Sequence, residues 1–99
     1  MLFAVHYTSG PHGNEARDKR TIKMLAAWKP PVGFDMKSWH DYADGSGGIA
    51  IVDVSSSEVL MEALAPWATF FEFSAKPLVS VETSTPIYEK GIAWRDSVK

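Results

Sequence analysis

The chain contains no cysteine. That excludes a disulfide scaffold, a thiolate metal centre and a cysteine nucleophile. An excess of charge of either sign is also missing. Ten basic and 12 acidic side chains leave a formal net charge of −2, mixed along 99 residues. No global field therefore favours nucleic acid or an anionic membrane as a partner. No apolar run approaches the roughly 20 residues of a membrane span. The opening "MLFAV" is shorter than a signal-peptide core and has no basic residues ahead of it, so the expectation is a cytoplasmic protein. The histidines, His6, His12 and His40, have no metal-ligand spacing. Neither a metal nor a cofactor is expected, since a metal needs three or four converging ligands.

Apolar material, by contrast, is plentiful. Hydrophobic residues make up 45% of the chain and aromatics 12%, enough for the core of one domain. A chain this short buries only about 60–65% of its unfolded surface, so further burial against a partner adds stability.

The order of local signals is β-α-β-β-α-β. "MLFAVHYT" at the N-terminus is rich in aromatic and β-branched residues and ends at the turn-forming "SGPHGN", which reads as a strand. In "NEARDKRTIKMLAAW", Asn14 supplies an N-cap, and Ile22, Leu25, Ala26 and Trp28 recur at helical spacing. Pro30 and Pro31 stop that helix. "FDMKSWHDYA" and "GIAIVDV" read as strands joined by "DGSGG", whose Asp44–Gly45 suits a hairpin turn. Ser55 and Glu58 have the spacing of a capping box for a second helix. Leu60, Ala63, Leu64 and Trp67 form its apolar stripe, and Pro66 either ends it near Leu64 or distorts its last turn. "FFEFSAKPLVSVE" reads as a fourth strand, with Pro77 pointing to an edge or a bulge. The domain is expected over residues 1–82. Residues 83–99, with Pro86 near a helix start, form a tail that docks on the body or on a dimer partner.

This order is that of a ferredoxin-like α+β fold, an antiparallel sheet with two helices on one face. Alternation along the strands divides the residues into two sets. Phe3, Val5, Tyr7, Lys37, Trp39, Asp41, Ile49 and Ile51 are expected beneath the helices. Leu2, Ala4, His6, Met36, Ser38, His40, Ala50, Val52, Phe71 and Phe73 are expected on the opposite face. That second set is too apolar for a solvated surface, which points to a homodimer packed face to face. The small residues Ala4, Ser38 and Ala50 leave room there for a cavity.

The element order, the "WH" before the glycine-rich hairpin ("WHDYADGSGG") and the aromatic fourth strand with its proline ("FFEFSAKP") resemble the dimeric α+β barrel superfamily. Within it they are similar to a family of small stand-alone barrel proteins, itself uncharacterised. The resemblance covers roughly residues 1–81. The superfamily includes cofactor-independent monooxygenases, haem-degrading enzymes, lactone isomerases and modules with no known reaction. The resemblance implies a dimeric barrel with a cavity between sheet and helices or between sheets, and no particular chemistry.

Among candidate chemistries, His40 and Asp41 point to opposite faces of a regular strand, so they form no dyad unless a bulge intervenes. Asp41 then reads as a solvated residue near the turn. "GSGG" is explained by a hairpin, because phosphate loops of this composition run into a helix and here a strand follows. Ser55, Ser56 and Ser57 are explained by helix capping. Arg17, Lys19, Arg20 and Lys23 are interleaved with acids on a solvated helix face. His6 and His40 share a face, about 10 Å apart across one intervening strand, and either has the pKa range of a general base. The leading expectation is a binding module that holds a small, partly apolar or aromatic ligand among Ala4, Ser38, Trp39, Tyr42, Ala50, Trp67, Phe71 and Phe73. The alternatives are a monooxygenase- or isomerase-type enzyme with His6 or His40 as base, and a purely structural dimer.

Overall fold

A computed structural model, which describes residues 1–9 and 14–99, gives a mixed α+β fold with three helices. The elements are β1 (Leu2–Thr8), α1 (Glu15–Ala27), β2 (Phe34–Asp41), β3 (Gly47–Val54), α2 (Ser57–Leu64), β4 (Glu72–Pro77) and α3 (Val81–Ser97). A single 3-10 turn, Ala65–Trp67, follows α2. The four strands form one open antiparallel sheet in the order β2-β3-β1-β4. His12 lies outside the described residues.

Local chemistry sets the boundaries. Asn14 caps α1, its side chain accepting the Arg17 N–H at 2.8 Å. In the β2–β3 hairpin Tyr42 N–H donates to the Gly47 carbonyl at 2.8 Å, and Gly45 takes φ +79°. Asp44 accepts from both the backbone N–H and the hydroxyl of Ser46 there. The cap of α2 is Ser56, one residue later than the capping-box spacing suggests. Ser55 N–H is drawn instead to the Gly33 carbonyl at 3.0 Å. Glu58 thereby falls at the second helical position rather than the third, where the reciprocal bond of a capping box forms. The fourth strand is shorter than its sequence signals suggest. Phe70 and Phe71 both donate backbone N–H groups to the Trp67 carbonyl, which holds them in the turn before β4. The edge strand β4 then ends at Pro77.

The C-terminal segment is helical from Val81, well before Pro86, because Ser80 caps it by accepting the Thr83 N–H at 3.2 Å. Pro86 therefore sits inside α3, where it removes one backbone hydrogen bond. Apart from half-buried Ser84, α3 is exposed along its whole length.

The core lies between the sheet and the helices. It comprises Phe3, Val5, Ala50, Val52, Val54 and Leu60, with Val52 and Val54 each 1% exposed. Burying a valine fully is worth about 1.5–3 kcal/mol. The register corrects the sequence-based assignment of faces. Phe3 pairs with Val52, Val5 with Ala50 and Tyr7 with Phe73, so Ala50, Val52 and Phe73 lie beneath the helices. Ile49 and Ile51 pair with His6 and Ala4 and take the opposite, open face. A bulge between Met36 and Ser38 places Met36, Trp39 and Asp41 on the helix side, and Ser38 and His40 on the open side. Lys37 is the extra residue and bonds Asp35 at 2.7 Å rather than facing the helices. Strict alternation fails because this one residue shifts the phase of β2, and because the smaller residues of β3, not its isoleucines, face the core.

Candidate functional site

A cavity of about 350 Å³ opens between α1 and the helix-bearing face of the sheet. Val5, Ala50 and Val52 line it from the central strands, Met36 and Trp39 from β2, Phe71 and Phe73 from β4 and its approach, and Ile22 and Leu25 from α1. None of α1 is buried. The helix is instead held at its two ends. The Arg17 guanidinium lies 5.5 Å from the centre of the Phe71 ring and donates to the Phe70 carbonyl. At the other end Trp28 packs edge-on against Trp67 at 5.5 Å and Phe34 at 5.9 Å. Between these clamps the helix spans the cavity as a roof.

The lining is mostly apolar; besides Ser9, Thr21 and the buried, unpartnered Trp67 Nε1, its polar groups form one cluster. Tyr7 donates its hydroxyl hydrogen to Asp41 Oδ1 at 2.6 Å and accepts from Trp39 Nε1. Two strands supply these groups across a third between them, and glycine makes the meeting possible. Tyr7 on β1, Gly48 on β3 and Asp41 on β2 occupy one row of the register. A Cβ on Gly48 would collide with the Tyr7 ring and hydroxyl. The phenol thus lies across the middle strand only because that strand has no side chain there. The bulge in β2 brings Trp39 and Asp41 to the same side.

Burial pushes the Tyr7 phenol up to about 12, and the hydrogen bond to Asp41 and its charge act in the same direction, while the Trp39 N–H opposes them. Tyr7 therefore stays a neutral hydrogen-bond donor at ordinary pH. The cluster can orient a polar group of a ligand and offers it the Asp41 carboxylate as an acceptor. It does not supply a phenolate base.

The residues expected to form one pocket divide between two faces. Trp39, Ala50, Trp67, Phe71 and Phe73 all line the cavity. Ala4 and Ser38 lie on the open face. Tyr42 shares a hydrogen bond with His6 Nδ1 at 2.9 Å on that side. His6 and His40 flank Ile49 in a single row across the open face, one strand between them. His40 Nδ1 bonds the neighbouring Trp39 carbonyl at 3.1 Å. Neither histidine lines the cavity. Asp41 is exposed near the turn, as expected, and also accepts the Tyr7 bond.

Sequence reasoning missed Tyr7, Met36, Trp28 and Phe34 as lining residues. The available signal was Gly48 opposite an aromatic, which becomes visible only once β1 and β3 are paired. Among the described residues, no group of three or more histidines and carboxylates converges as a metal site, and no helix is long and apolar enough to cross a membrane.

No curated protein matches the sequence. A family model described only as a domain of unknown function, DUF3303, matches residues 1–92. The match runs from β1 through the whole sheet and well into α3. On that coverage the chain belongs to the DUF3303 family.

Proposed function

We propose that the chain is a ferredoxin-like binding module that takes a small, partly apolar ligand into the cavity between α1 and the sheet. The observation that carries this reading is an aromatic-walled space of about 350 Å³ with one polar cluster, Tyr7–Asp41–Trp39, at its edge. Sites for small molecules have this composition, mostly apolar walls with a few placed polar groups. The matching ligand is a flat or short-chain apolar molecule with one hydrogen-bond donor for Asp41.

The open face gives the module a second role, as the surface through which two copies pair in a dimeric α+β barrel. It carries Leu2, Ala4, Ile49 and Ile51, and no helix of the same chain packs on it among the described residues. A base role for His6 or His40 belongs to this interface and needs a substrate held between two sheets.

Melting the protein with indole, phenol, short aryl amides and medium-chain fatty acids tests the binding reading. Ligands that bind only the native state at 100 times their Kd stabilise it by about 2.7 kcal/mol, which in a chain of this length raises the melting temperature by roughly 10 °C or more. The account expects such a rise with at least one ring compound carrying a donor. No rise with any of them would overturn it.

A further inference from the structure

The chain exposes 7435 Å². A compact monomer of 10.9 kDa exposes roughly 5,600 Å². Its radius of gyration, 17.8 Å, likewise exceeds the value of about 13 Å for a compact chain of 100 residues. α3 contributes to the surplus, since the backbone of no other element comes close to it among the described residues, and the same holds of α1.

Yet α3 is not built for water on all sides. Val81, Tyr88 and Ile92 run along one edge of a broad stripe and Ile87 and Trp94 along the other, with Gly91, Ser84 and Arg95 between them. These five large side chains are 48–74% exposed, and a side chain on Gly91 would meet nothing. Glu82, Glu89, Lys90 and Asp96 occupy the opposite side. Five large apolar side chains gathered on one side of a helix favour burial, even with a serine and an arginine among them. The intrinsic propensity of α3 is also poor, because Pro86 and Gly91 sit in its interior. Seventeen residues of this composition do not hold a helix without tertiary packing.

We infer that α3 is an arm whose apolar stripe packs on a second copy of this chain. The surplus area is of the size that a second copy would cover. Roughly 1,800 Å² above the compact expectation is what one partner buries in an obligate homodimer, about 1,000–2,500 Å². Leu78, Val79 and Ser80, between Pro77 and Val81, form the link by which the arm leaves the edge strand. The inference rests on the homodimer proposed above and adds the element that clasps it.

Sedimentation over a dilution series, with wild type and the full-length variant Ile87→Glu/Trp94→Glu, tests it. Both side chains are exposed in the single chain, so the charges leave the body of the fold intact. Glu89→Gln, on the polar side, serves as control. A wild-type and control dimer, with the dimer Kd of the double variant raised at least a hundredfold, is the expected result. A dimer of unchanged affinity in the double variant overturns the arm and leaves the paired sheets standing. A wild type that is monomeric at every concentration overturns both. If that monomer also melts higher than the double variant, α3 packs on its own body.

Discussion

Tyr7 reaches Asp41 because Gly48 leaves the row between them empty, and this single contact has a pH signature. The neutral phenol is favoured by the fold, with its pKa raised from 10.0 to about 12. Its stabilisation is therefore fully present below pH 10 and lost as pH rises through about 12. In melting curves against pH, the advantage of wild type over Tyr7→Phe should stay constant below pH 10 and shrink towards pH 12. Gly48→Ala should abolish the same pH dependence, because the added methyl displaces the phenol, and should cost about 1–3 kcal/mol through overpacking. An alkaline profile identical in all three proteins would remove the cluster from the account. Neither Tyr7 nor Asp41 stands out in the sequence as a pair, since their positions differ by 34 and only the register joins them.

At the scale of elements, most of the architecture was legible where local chemistry decides it. Asn14 marks the start of α1, Pro30 and Pro31 its end, and Asp44–Gly45 the hairpin. The faces of the sheet were less legible, for two physical reasons. A bulge at Lys37 inverts the phase of the second half of β2. In β3 the hydrophobic run "GGIAIVDV" offers apolar residues to both faces, so alternation cannot choose between Ile51 and Val52. The consequence was a pocket expected on the open face whose aromatic residues Phe71 and Phe73 turn out to lie beneath α1, beside Trp39 and Trp67. The start of α2 offers a simple check on the observed cap. Removing the Ser56 hydroxyl, which accepts the Val59 N–H at 3.2 Å, in Ser56→Ala should cost about 1 kcal/mol and lower the melting temperature by roughly 4–8 °C. Ser55→Ala, outside the cap, should cost clearly less. Equal losses would return the cap to Ser55.

The molecule as a whole combines a cavity roofed by a helix with α3 and an open sheet face, on neither of which another helix packs among the described residues. The cavity persists because α1 is clamped by Arg17 at one end and Trp28 at the other, with no large side chain rising from Ala50 to fill the space between. That makes Ala50→Leu the most direct test of where a ligand sits. Its side chain, 6% exposed in wild type, points into the empty volume, so the larger residue can be housed without unfolding the protein. The decisive measurement is the ligand-induced rise in melting temperature, compared between wild type and Ala50→Leu with the same ring compounds. The account predicts a rise in wild type that is lost in a folded Ala50→Leu protein. An equal rise in both proteins would place the ligand outside the cavity and contradict the account.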